Sequence, residues 1–157
     1  HDQCAWDGTA IDIYGGIDAS LAAFAATLFY PGVPLIYTGQ EIGWNMQIPF
    51  FTNSVVNWNY GTSTLEKYKK LMNAYTNNEE FKTGALNDYS SSDVICINRK
   101  IVGNSAWCLI NSKNTISSFS LPLELQNFSG TNLLDGSSFV VNGNTISLAP
   151  FETIVFK

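Results

Sequence analysis

Apolar and polar positions follow two different rhythms along this chain. From Ala19 to Tyr30 nearly every position is apolar, with Asp18 placed to cap the first free amides and Pro31-Gly32 placed to end the run. That pattern predicts a helix that other structure must cover on most sides. The next run, Val33 to Tyr37, is short and continuously apolar, as in a parallel strand buried on both faces. The opening through Gly16 reads as polar and irregular, and Gly43 to Tyr60 as a long loop rich in aromatics and asparagine. Ser63-Thr64-Leu65-Glu66 matches a capping box; Leu65, Tyr68, Met72 and Tyr75 then recur on one helical face while Glu66 and Lys70 stand four apart, which predicts a helix from Thr64 to about Asn77. Beyond Phe81 the period shortens. Asp93–Lys100, Ser105–Asn111, Thr115–Leu121, Gly130–Leu134, Ser138–Val141, Thr145–Leu148 and Phe151–Phe156 read as strands between Gly, Asn, Ser and Asp turns, the spacing of an antiparallel sandwich.

Charge divides the chain in the same place. The acids Asp2, Asp7, Asp12, Asp18 and Glu41 stand in the first 65 residues, where no lysine or arginine occurs, while the rest of the chain is neutral, so the first half carries the whole net charge of -5. Two domains are expected, 1–80 and 81–157, with the boundary near Asn78 to Gly84. The sandwich can close its own core with Val94, Cys96, Trp107, Leu109, Ile146, Leu148, Ile154 and Phe156, whereas Ile17 to Tyr37 is expected to expose apolar surface, to self-associate or to stay loose. With 45% apolar residues the chain is not a disordered one, and with a single arginine, Arg99, and no basic run it lacks the means to neutralise a nucleic-acid backbone. Pro31, Gly32 and Pro34 interrupt the longest apolar stretch, so no membrane span is expected, and no signal peptide is read.

Cys4, Cys96 and Cys108 lack zinc or redox spacing; they read as small buried thiols, with a Cys96–Cys108 disulfide left open because the two fall on neighbouring predicted strands. Compartment is not decided by them, and the sequon Asn127-Phe128-Ser129 bears only on a secreted eukaryotic protein. Asp7 and Asp12 suggest calcium, but the Asp-x-Asp-x-Asp-Gly loop is missing, so no metal and no cofactor is assigned.

A helix, one buried strand and a second helix cannot make a sheet, so the first half reads as incomplete. The opening at His1-Asp2 without a methionine fits a fragment, and a lone β/α unit needs the rest of a doubly wound sheet or of a (β/α)₈ barrel of about 250 residues. Gly32-Val33-Pro34-Leu35-Ile36-Tyr37-Thr38-Gly39-Gln40-Glu41 resembles the Gly-x-Pro-x-Ile-Tyr-x-Gly-Gln-Glu motif on the eighth barrel strand of alpha-amylase-type enzymes, glycoside hydrolase family 13. His1-Asp2 resembles the end of that family's Asn-His-Asp motif after the seventh strand, and Pro49-Phe50-Phe51 with Asn57-Trp58 resembles the loop that follows the eighth. Thr64–Asn77 then corresponds to the last barrel helix, and Thr83–Lys157 resembles the small β-sandwich known as domain C. The resemblance runs the length of the chain and implies an α+β fragment: the last elements of a (β/α)₈ barrel followed by an antiparallel β-sandwich.

The same resemblance implies a retaining parent enzyme acting on an α-glucan or oligosaccharide. Such enzymes need a carboxylate nucleophile and a carboxylic acid about 5 to 5.5 Å apart, and the motifs that carry both lie outside this sequence. By resemblance Asp2 is the third carboxylate, which stabilises the oxocarbenium-like transition state, and His1 hydrogen-bonds the sugar; at the end of a chain, both can equally be disordered and inert. Glu41 reads either as an acid at a barrel strand end or as a carboxylate hydrogen-bonded to anchor its loop, and Trp6, Trp44, Trp58 and Tyr60 either stack on sugars or pack the long loop. The isolated chain is expected to be inactive, with the remainder of the barrel as its partner. The competing reading is a non-catalytic β-sandwich module that binds carbohydrate or stabilises a neighbour.

Overall fold

A computed structural model describes residues 3–157. The chain runs through helices α1 (Gln3–Trp6), α2 (Ala10–Tyr14), α3 (Ile17–Phe29), α4 (Thr62–Thr76) and α5 (Glu79–Thr83), then through eight strands: β1 (Ala85–Asp88), β2 (Val94–Ile101), β3 (Asn104–Asn111), β4 (Ser117–Ser120), β5 (Ser129–Thr131), β6 (Ser138–Val140), β7 (Thr145–Leu148) and β8 (Thr153–Phe156). The fold is α+β with antiparallel sheets. One sheet has the order β1-β2-β3-β8, and β4-β7 and β5-β6 form two smaller pairs.

Strand alternation sends the side chains of the large sheet to two separate cores. Val94, Cys96, Trp107, Leu109 and Phe156 face Phe119, Leu121, Leu125, Val141 and Leu148, with Ile146 and Ile154 packed alongside, and this arrangement fits a β-sandwich. All eight residues expected in that core are in it. Ile97, Ala106, Cys108, Ile110 and Val155 point the other way, onto α3, α4 and α5. Because a strand's successive side chains leave opposite faces, Cys96 and Cys108 sit in different cores although their strands are paired. No disulfide joins them: both are free thiols, and burial pushes Cys96 up to about 12 and Cys108 well above the ordinary thiol range.

The helical layer corrects the expectation that Ile17–Tyr37 lacks cover within the chain. Helix α3 buries Leu21, Ala22, Phe24, Ala25, Leu28 and Phe29 against the sheet and α4, with Phe29 stacked on Phe81 and Phe24 on Tyr68. The segment after it stays partly uncovered: Val33–Tyr37 pairs with no strand among the described residues, and Val33 and Leu35 are 95% and 62% exposed while Ile36 packs against the core. A strand buried within a parallel sheet has neighbours on both edges, and none is present among the described residues.

Helix starts also differ from expectation. Asp18 does not cap α3, whose N-cap is Gly16, and the box Ser63–Glu66 lies inside α4, which begins after Gly61. Glu66 pairs with Lys69 at 2.7 Å, three residues on, rather than with Lys70. The buried stripe of α4 is Thr64, Tyr68, Leu71 and Ala74, with Leu65, Met72 and Tyr75 flanking it half-buried. The opening is not irregular either: Thr9 accepts from the Asp12 amide at 3.3 Å and the Asp12 carboxylate accepts from the Thr9 amide at 3.0 Å, a capping box that starts α2.

Two buried polar side chains join the layers. Asn111, fully buried, donates to the carbonyls of Thr115, Leu148 and Ala149 and accepts from the Lys113 amide and the Ser117 hydroxyl, tying β3 to the β4-β7 pair. Arg99 on β2, 2% exposed, donates from Nε to the Gly84 carbonyl at 2.9 Å and from Nη1 to the Phe29 carbonyl at 3.1 Å. The second bond satisfies a carbonyl in the last turn of α3, where the helix dipole also favours a cation. Replacing Arg99 by Met leaves both carbonyls buried without a donor, and equilibrium urea unfolding should register a loss of about 2 to 4 kcal/mol, of which Arg99→Lys recovers only part.

Candidate functional site

The motif that the sequence singled out folds as a tight turn around Gly39. The amide of Trp44 donates to the Gly39 carbonyl at 2.9 Å and that of Gly43 to the Gln40 carbonyl at 3.0 Å, closing a short 3₁₀ helix over Gln40–Ile42. Gly39 has φ 84°, and a Cβ there would stand 3.0 Å from Cβ of Trp44, so the turn admits no side chain on two counts. Trp44 is thereby buried, with its ring set edge-on to Tyr60 at 5.3 Å. Behind it, Gly61 passes so close to the Ile42 carbonyl that an added Cβ would overlap it, which lets the entry to α4 lie against the turn.

Gln40, rather than Glu41, is the side chain that anchors the loop. Its Oε1 accepts from the Tyr37 amide at 3.2 Å, holding the end of the extended segment to the turn. Glu41 Oε2 is buried with no hydrogen-bond partner among the described residues, and so is the hydroxyl of Tyr68 beneath it on α4. Among the described residues, no donor to Glu41 Oε2 anchors the loop in the way expected of a hydrogen-bonded carboxylate. Burial, chiefly, holds the Tyr68 phenol up at about 12, with the neighbouring Glu41 charge adding to the rise.

The aromatics divide between the two roles considered for them. Trp44 packs the loop, but Trp6, Trp58 and Tyr60 are 62%, 54% and 47% exposed, and Trp6 meets Phe50 edge-on at 5.5 Å. Two long hydrogen bonds link the loop to α1, from the Gln47 side chain to the Trp6 carbonyl at 3.2 Å and from the Ile48 amide to the Cys4 carbonyl at 3.5 Å. Asp12 is taken up by its capping box, in which Thr9 holds the carboxyl below its ordinary range, and no cluster of metal-ligating side chains occurs among the described residues. His1 and Asp2 lie outside the described residues. What the site offers chemically is a rigid turn, an exposed extended segment leading into it, and a buried carboxylate oxygen without a donor. The Thr9-x-x-Asp12 spacing was a readable signal that the sequence analysis missed; helical spacing put Tyr68 on the buried face of its helix and the motif included Gln40, but neither showed that Gln40 holds the turn or that Tyr68 lies beside Glu41.

No family model matches the chain, and no curated protein matches it by sequence. Solved structures do. Over 96% of this chain and 41% of its own, the trehalulose synthase MutB from Pseudomonas mesoacidophila MX-45 superimposes with a TM-score of 0.72 at 17% identity, and a MutB mutant in complex with glucose reaches 0.74 at 18% over the same shares. AmyP in complex with maltose gives 0.66 at 15% identity, over 89% of this chain and 33% of its own. These are glycoside hydrolase family 13 enzymes. The chain has the fold of part of an alpha-amylase-type enzyme. It spans well under half the length of the family 13 structures it matches.

Two measurements check this site. Gly39→Ala should destabilise by about 1 to 3 kcal/mol, through the left-handed φ and the crowding at Trp44, and should raise the fluorescence accessibility of Trp44 to quencher. Tyr68 ionises more easily unfolded, where a phenol titrates near 10, than folded, so its contribution to stability is whole below pH 10 and falls away as pH rises towards about 12, by on the order of 2 kcal/mol. In Tyr68→Phe that part of the alkaline loss should vanish.

Proposed function

We propose that the chain is the C-terminal portion of an α-glucan-active glycoside hydrolase of the alpha-amylase family, with a retaining mechanism in the parent enzyme. Residues 1–80 are the end of its (β/α)₈ catalytic barrel and 81–157 its C-terminal β-sandwich. The observation that carries the reading is Val33–Tyr37: an apolar extended segment without a sheet, held rigidly by Gln40 to the Gly39 turn, in a chain whose fold matches less than half of each enzyme it resembles. A parallel neighbour supplied by the remainder of the barrel would cover Val33 and Leu35. In the absence of that neighbour the chain is expected to self-associate through this segment.

In the parent, Asp2 acts as the carboxylate that stabilises positive charge developing at the anomeric carbon, and His1 hydrogen-bonds the sugar. The nucleophile and the acid/base come from the rest of the barrel. The roles of Asp2 and His1 rest on their resemblance to the Asn-His-Asp motif. Asp2→Asn keeps the shape and removes the charge, so in the parent it should lower turnover on soluble starch by on the order of 10² or more while leaving the unfolding midpoint unchanged. Near-normal turnover would take Asp2 out of the site. The chain by itself should release no reducing sugar from starch above a buffer control, since neither the nucleophile nor the acid/base is in it; release by the pure chain would overturn the assignment.

A further inference from the structure

Asn142-Gly143 is the one Asn-Gly step in the sequence, and it stands in the turn between β6 and β7. Glycine suits a turn because it tolerates a left-handed backbone, and Gly143 has φ 91°. The same lack of a Cβ leaves its main-chain nitrogen open to approach the carboxamide of the residue before it. Nothing else screens this pair. Asn142, Gly143 and Asn144 are all exposed, no atom lies within 4 Å of where a Gly143 Cβ would stand, and the Asn142 side chain makes no hydrogen bond among the described residues.

The nitrogen itself is held. The Gly143 amide donates to Oδ1 of Asn127 at 2.9 Å, and the Asn127 amide donates back to the Gly143 carbonyl at 3.3 Å. Asn127 has φ 56°, a left-handed conformation that asparagine adopts more readily than most residues, and this brings its amide and its carboxamide to the same partner. Neighbouring bonds fix the turn on both sides: the Val141 amide donates to the Phe128 carbonyl and the Leu121 amide to the Asn144 carbonyl, each at 2.8 Å. A main-chain nitrogen must lose its proton before it can attack a carboxamide, and that proton is the one Asn127 binds.

We propose that Asn142 is the chain's site of spontaneous deamidation and that the Asn127 carboxamide restrains it. The deprotonated Gly143 nitrogen bonds to Cγ of Asn142, the Cγ–Nδ2 bond breaks, and the nitrogen takes protons from solvent to leave as ammonia. Water then opens the five-membered imide at either carbonyl, giving aspartate or isoaspartate. The net change is one water consumed, one ammonia released and one negative charge gained, and isoaspartate also lengthens the backbone by a methylene. That lengthening falls just before β7, whose first residue, Thr145, pairs with Ser120 of β4. The proposal is independent of the hydrolase reading.

Peptide mapping by mass spectrometry, on the chain aged in warm, mildly alkaline buffer, tests it. Aspartate and isoaspartate should accumulate at Asn142 ahead of every other asparagine. Asn127→Gly suits the left-handed backbone and removes the acceptor, whereas Asn127→Asp keeps an acceptor oxygen. Loss of one hydrogen bond should speed conversion about three- to tenfold in Asn127→Gly, with Asn127→Asp no faster than the unaltered chain. Hydrogen exchange at Gly143 follows the same proton and should quicken by the same factor in Asn127→Gly, while the amides of β2 and β3 keep their protection. Another asparagine converting first, no acceleration in Asn127→Gly by either measurement, or equal acceleration in Asn127→Asp would overturn the proposal.

Discussion

Arg99 is the only arginine of the chain, and it is spent in the interior, with its guanidinium bonded to the end of α3 and to Gly84 between α5 and β1. A charge placed there is costly unless its donors are used, so the geometry around it is tightly constrained: α3 must end at Phe29, α5 must turn at Gly84, and β2 must face its odd-numbered side chains, Ile97 and Arg99, towards the helices. Once that junction is set, the large sheet is sandwiched between two apolar layers, and α3 finds cover in the sheet that it would otherwise lack.

That junction also explains what could be read from the sequence and what could not. Period-two alternation in Val94–Ile101 and Asn104–Asn111 named the sandwich core residue by residue, because an antiparallel strand buried on both faces still sorts its side chains by parity. The same parity, followed one step further, separates Cys96 from Cys108. Local periodicity carries no information about which distant surface a helix meets, so α3 reads as unpartnered although the sheet covers it. Short elements were lost for a related reason: α5 and β1 are five and four residues long, too short for either period to be visible.

At the site, the Gly32–Glu41 motif was legible through its resemblance to the family 13 motif, and the left-handed φ of Gly39 and its close approach to Trp44 give a physical reason for a glycine there. The exposed aromatics were not. Trp6, Trp58 and Tyr60 read either as sugar-stacking or as loop-packing side chains, and sequence spacing does not tell an exposed ring from a buried one. Among the described residues, one Glu41 oxygen is buried without a donor and Val33–Tyr37 pairs with no strand.

Native-state hydrogen exchange of the chain tests most directly whether the helices and the sheet form one unit joined at Arg99. Amides from Ala22 to Phe29 should exchange with the same protection as those of β2 and β3, and all of these should lose protection together in Arg99→Met, while Val33, Leu35 and Ile36 exchange fast throughout. Helix α3 exchanging orders of magnitude faster than β2 and β3 in the unaltered chain would contradict the account, because the helical layer would then be open while the sandwich stayed closed.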